Sequence, residues 1–296
     1  MRRRFTSDTW FAVCNYGFVL LITAVVLYPL LYIISASISD PDYVNSGRMW
    51  LWPHGITMNG YAKVFQNEEI WIGYRNTIFY TVLGVLVNLI FTLPGAYALS
   101  RTDLAGRNLF TFIIVFSMFF SGGLIPTYLL VKSLGMIDSI WALLLPSAAG
   151  VFQIIVSRTF FQSSIPKELE EAAEMDGCMP FRFFFSIVLP LSKAIIAVMA
   201  LFYGVAHWNS YFSALIYISD RNLYPLQLIL REILVMNQIN SAAMSGLDIE
   251  AYTEQLKLAD LIKYSVMIIA ALPLLIVYPF LQRFFIKGVL IGSVKG

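Results

Sequence analysis

The sequence predicts an all-α, polytopic membrane protein with six transmembrane helices, and three observations carry that expectation. The 296 residues are 58% hydrophobic and 13% charged, more apolar than a soluble core of this length can bury. Six stretches, 10–39, 76–100, 108–131, 139–157, 194–219 and 264–282, hold no Asp, Glu, Lys or Arg, and a bilayer needs roughly 20 such residues per helix. The net charge is only +2, yet Lys and Arg crowd into alternate connections. So small a charge leaves no basic field for a nucleic acid, and lipid is the expected surround.

In chain order, Arg2, Arg3 and Arg4 precede the first run as they would in a secretory signal. The run is too long for a signal's apolar core and no small-residue cleavage site follows Ser35, so a retained first helix is expected. Residues 40–72 carry Pro41, Gly47, Pro53, Gly55 and Gly60 and read as turns with a short amphipathic stretch. Residues 1–72 therefore form an N-terminal portion and 73–296 a core domain. Within the core, a tight connection bracketed by Arg101 and Arg107 joins the second and third runs, and 132–138 joins the third to the fourth. Longer connections follow at 160–193 and 220–263, where function is expected to reside. Gly84, Pro94, Gly122, Gly123, Pro126, Pro146, Gly150, Gly204 and Pro273 interrupt the runs, as such residues do where membrane helices kink or approach closely. With the N-terminus inside, twelve Lys and Arg fall on the cytoplasmic side and eight outside, while Asp40, Asp42, Glu68, Glu69, Asp248, Glu250 and Glu254 mark the outer segments. Both termini are thus expected in the cytoplasm. Cys14 and Cys178 fall at different depths, so no disulfide is expected between them.

Residues 163–177 carry the most information. Ser163 and Ser164 precede a short helix, Pro166 suits its first turn, Glu168 and Glu170 sit where the helix dipole favours acids, and Gly177 supplies a stop. About ten residues cannot hold a helix alone in water, so this one must dock. Lys167 and Glu171 are four apart and suited to pair, the other acids leave a negative surplus, and Ala172 and Ala173 keep one face slim. Such a helix suits a groove whose Arg or Lys meet its acids.

The spacing Glu171-Ala172-Ala173, three residues, Gly177, nine residues, Ile187, one residue, Leu189-Pro190 is similar to the EAA loop of permease subunits of binding-protein-dependent ATP-binding-cassette importers. The resemblance spans about residues 70–290 and is closest to the second permease of the maltose-type carbohydrate importers, in the branch of lipoprotein-type and complex-oligosaccharide uptake. Asn76-Thr77, His207-Trp208-Asn209 and the tail 288–296 fit that subfamily, and Cys178 stands where an Ala is common. The resemblance implies a type I importer permease fold in a bacterial inner (cytoplasmic) membrane. It makes the loop 162–190 the coupling element, with Glu170, Glu171, Ala172, Ala173, Asp176 and Gly177 toward the ATPase. The implied partners are a homologous second permease subunit, two copies of the ATPase and an extracytoplasmic solute-binding protein. ATP and Mg are used by the ATPase, leaving this chain without cofactor or metal. The cargo implied is a carbohydrate, an oligosaccharide in particular, with a peptide or amino acid as the alternative. The outer segment 220–260 would meet the binding protein through Asn240, Ser241, Met244 and Ser245.

A route for a polar solute needs polar side chains between helices. Asn76, His207, Trp208, Asn209 and Tyr211 are the candidates, because aromatic rings stack on a pyranose's C–H face while Asn and His pair with its hydroxyls. Trp208 and Tyr211 fit an interfacial belt equally well, and His207 fits a hydrogen-bonded packing role. No run holds a carboxylate, which argues against a proton- or sodium-driven carrier. The chain lacks a Gly-rich Lys-Ser/Thr phosphate loop and a His-Glu-x-x-His helix, which argues against an ATPase and an intramembrane enzyme.

Overall fold

A computed structural model of the chain describes residues 7–243 and 261–279. The tail 288–296, Met244, Ser245 and the end of the sixth run lie outside the described residues. Among the described residues every regular element is helical. Lipid offers no partner for a backbone amide, so each segment must satisfy its own.

Among the described residues three helices are long and apolar enough to cross a bilayer unbroken: Thr9–Ser37, Glu68–Ser100 and Leu261–Pro279, from the first, second and sixth charge-free runs. The other three runs are not continuous helices. The third forms Arg107–Phe119 and Leu124–Ser133, bent by 112°. Gly123, with φ +84°, sits at the corner, and Pro126 in the next turn has no N–H to continue the first helix. The fourth forms Trp141–Leu144 and Val151–Ser164, parted by Pro146 and Gly150. The fifth starts within the expected loop, as Pro180–Leu191 followed at an 82° bend by Lys193–Trp208, and ends in the short Phe212–Tyr217. A π-helical turn at Phe184–Val188 precedes Pro190, a usual cause of irregularity in a helix.

Packing divides the chain into two compact units. One comprises Met1–Glu68 and Leu230–Leu272. Its 31-residue first helix exposes most of its apolar side chains, as a lipid-facing helix does. Residues 38–58 fold back against the end of that helix: Thr57 N–H donates to Ile38 O at 3.0 Å, and Asp40 N–H to His54 O at 2.9 Å. Ala36, Val44 and Met49 form a small core there with Tyr32 and Tyr264. The expected turns thus contain two short helices, Pro41–Asn45, N-capped by Asp40, and Asn59–Gln66.

The other unit, Glu69–Ile229 with Pro273–Gly296, is organised around the 33-residue helix Glu68–Ser100, here called the central helix. At 1.5 Å per residue it is about 50 Å long, more than the bilayer core. Every fourth side chain, Asn76, Tyr80, Gly84, Asn88, Thr92 and Ala96, is buried, whereas Ile78, Val82, Leu86 and Ile90 on the opposite face are exposed. Its C-terminal half packs into the main core with Phe161, Phe183, Phe184, Val188 and Met199. The helix Leu226–Ala243 follows Pro225 and holds no Gly or Pro to interrupt it.

Candidate functional site

The loop helix Lys167–Met175 forms where expected, two residues after the helix Val151–Ser164 ends. Ser163 and Ser164 close that earlier helix rather than cap the new one, whose N-cap is Pro166. The C-terminus is closed by Gly177 at φ +73°, with Gly177 N–H donating to Glu174 O and Cys178 N–H to Ala173 O, both at 2.9 Å. These paired bonds satisfy carbonyls the helix would otherwise leave open, and they need a left-handed residue at position 177.

Two faces follow from that geometry. Leu169, Ala173 and Cys178 pack on the core, and Ala173 is only 8% exposed. On the same side the Arg101 guanidinium pairs with Glu170 and lies 3.6 Å from Glu174. Arg101 also binds Asp103, through Nε at 2.9 Å and Nη2 at 2.7 Å, which holds that carboxyl below its ordinary range. Glu168, Glu171, Ala172, Met175 and Asp176 face outward, with Met179 and Phe181 exposed just beyond. Among the described residues the ion pairs are Arg101 with Asp103, Glu170 and Glu174, and Arg221 with Glu69, so none joins Lys167 to Glu171. Glu170 and Ala173, expected toward the ATPase, thus have neighbours within their own chain. Arg101, counted in the sequence only as a loop charge, is the cation that orients this helix.

The second cluster lies along the central helix, whose stripe satisfies backbone that the broken helices leave open. Asn76 Nδ2 donates to Asn222 O at 2.7 Å and to Tyr224 O at 3.0 Å. Tyr80 donates to Leu223 O at 2.9 Å, and Thr77 Oγ1 accepts Leu226 N–H at 2.8 Å. Two turns further, Asn88 Nδ2 donates to Ser147 O at 2.6 Å while its Oδ1 accepts from His207 Nε2 at 2.7 Å. Thr92 and the Tyr203 hydroxyl share a 2.6 Å bond, and that hydroxyl also accepts Gly150 N–H at 3.1 Å. Non-helical backbone is tolerable at membrane depth only with such partners. Gly84 completes the fit, since a methyl there would stand 2.6 Å from His207 Cε1.

Of the five path candidates, the structure brings His207 to Asn88, and Asn76 to the 222–224 backbone, with Asn76 only 6% exposed. Trp208 is buried beside Tyr74, its ring centroid 6.3 Å away, and lines an apolar cleft of about 510 Å³ with Val82, Gly204 and Pro273. Asn209, whose amide donates to Val205 O at 2.9 Å, and Tyr211 are exposed. Asn240 and Ser241 fall in the helix Leu226–Ala243 rather than at a loop tip. The sequence reading missed Thr92 and Tyr203; the four-residue spacing of 76, 80, 84, 88 and 92 was the signal that could have found the stripe. Among the described residues no three His, Cys, Asp or Glu side chains converge as a metal site requires.

Residues 70–291 match the family described as binding-protein-dependent transport system inner membrane component. Protein LplC of Bacillus subtilis is 43% identical over 286 residues, covering 97% of this chain and 95% of its own. The polygalacturonan/rhamnogalacturonan transport system permease protein YtcP of the same organism is 42% identical over 281 residues, 95% and 96% of the two chains. A chain in the crystal structure of a bacterial ABC transporter involved in the import of the acidic polysaccharide alginate superposes with a TM-score of 0.83, at 34% identity, over 96% of this chain and all of that one.

Proposed function

Because the chain belongs to the binding-protein-dependent transport system inner membrane components, we propose that it is the permease through which an ATP-binding-cassette importer passes an oligosaccharide, coupled to a separate ATPase by the outward face of its loop helix. The observation that carries this reading is the helix's division into two faces. One is bonded to the chain's own core, while Glu168, Glu171, Ala172 and Met175 stand free of it on a rigid, capped helix. Glu171 meets a basic group of the ATPase, Ala172 lets the surfaces close, and exposed Met175 enters an apolar pocket. Two ATPase copies use ATP and Mg, and a homologous permease subunit completes the membrane channel. Both termini and the loop helix lie in the cytoplasm, and an extracytoplasmic binding protein delivers cargo near Asn240, Ser241, Met244 and Ser245.

The cargo reading draws on the relatives, since both YtcP and the alginate transporter are named for acidic polysaccharides. A uronate-containing oligosaccharide is therefore the first cargo to test, ahead of a neutral one; the peptide or amino-acid alternative has no support among these relatives. Exposed Asn209 and Tyr211 are assigned to contact it, and Asn76, His207 and Trp208 to shape the wall behind them.

Copurification of the co-expressed importer tests the coupling face. Glu171→Lys reverses an exposed charge, and Gly177→Asp forces a side chain onto a backbone with φ +73°, a strain of about 1–3 kcal/mol. Both are expected to lose the ATPase while keeping the second permease. An ATPase that stays bound and drives uptake in both variants would remove the loop from this role.

A further inference from the structure

The end of the central helix and the loop helix are held together by more than apolar packing. Arg101 directly follows the central helix, and its side chain is 19% exposed. The guanidinium pairs with Glu170 and approaches the exposed Glu174 one turn on, while Asp103 and the Tyr97 hydroxyl, at 3.4 Å from Nη1, hold it as well. Arg158, on the helix just before the loop helix, donates through Nε to Leu99 O at 3.0 Å. Both helices that flank the link 165–166 therefore grip the same helix terminus, where cations are favoured. From that terminus the stripe Thr92, Asn88, Tyr80 and Asn76 leads to the bonded backbone at 147 and 222–224.

We infer that Arg101 is the positioning residue through which displacement of the loop helix reaches the central helix, with Glu170 and Glu174 as its counter-charges. This rests on the coupling role proposed above and divides the helix's acids by task. Glu171 outside holds the ATPase; Glu170, turned to the core, and Glu174, exposed beside it, hold the permease through Arg101. A planar guanidinium can address two carboxylates and stay in plane with a third, which a lysine ammonium cannot reproduce.

The test uses the full importer in lipid vesicles, with Cys14 and Cys178 replaced by Ser and Val85→Cys as a reporter on the central helix. The rate of its labelling by N-ethylmaleimide is compared with and without ATP and vanadate. In the Arg101→Ala variant the ATPase is expected to stay bound and hydrolyse ATP, while the nucleotide-dependent change in labelling is lost. Glu170→Gln, which keeps the side chain's shape, should lose it as well, and Arg101→Glu combined with Glu170→Arg should regain part of it. Arg101→Ala and Glu170→Gln variants that retain the parent's change would overturn the proposal. Release of the ATPase from these variants would also overturn it, by making the network a docking element. A parent complex that carries no ATPase, or one indifferent to Glu171→Lys, would sink the coupling reading itself and is distinguishable from either result.

Discussion

Replacing Asn76 with Ala separates two roles for a buried polar side chain. The amide makes two bonds to carbonyls 146 and 148 residues away, and these tie the central helix to the single 3-10 turn Arg221–Leu223 and the residue after it. Interhelical hydrogen bonds in membrane proteins average about 0.6 kcal/mol, with values up to about 1.7. Losing both, and leaving two carbonyls without a donor, puts the destabilisation at about 1–3 kcal/mol. The assay is SDS titration of the purified chain in mixed micelles, followed by tryptophan fluorescence. Asn209→Ala is the control, because that exposed amide bonds to Val205 O in its own helix and should shift stability by less than about 0.5 kcal/mol. An Asn76→Ala chain as stable as the parent, with altered uptake kinetics, would refute the wall assignment and return Asn76 to the cargo's path.

Three further outcomes are expected. Gly73→Ala puts a methyl 3.0 Å from Leu226 Cα and 3.2 Å from its N, backbone that cannot swing aside, and should cost about 1–3 kcal/mol in the same titration; Gly95→Ala, with nothing within 4 Å, should be close to neutral. Tyr203→Phe leaves fully buried Thr92 and the Gly150 N–H unpaired and should destabilise by about 1–3 kcal/mol; a smaller loss would mean that other groups replace the hydroxyl. Asp103 has a depressed folded pKa, so its contribution is present above the unfolded value and is lost as pH falls through the folded one. The effect of Asp103→Asn on thermal stability should therefore be constant from about pH 5 to 8 and vanish in more acid solution; variation across neutral pH would contradict the pairing with Arg101.

Much of the architecture is legible locally. A run such as 10–39 declares a membrane helix because each residue's transfer into lipid is favourable whatever its neighbours do. The loop helix is equally readable, since early acids and a glycine at 177 act within one or two turns. The breaks at 120–123 and 145–150 had glycine and proline as their signals, yet such residues mark kinks, close approaches and full breaks alike.

By itself, then, the sequence determined the membrane class, the charge-free runs, the loop helix and its stop, all features whose free energy is settled between residues a few positions apart. Tertiary structure alone decided that Glu170 turns inward to Arg101 while Glu171 turns outward, for a helix with acids and alanines on both sides does not say which side has a partner. It likewise decided that Asn76 serves carbonyls 146 and 148 residues downstream. A buried amide takes the partner that folding brings to it, and that choice depends on where distant segments break.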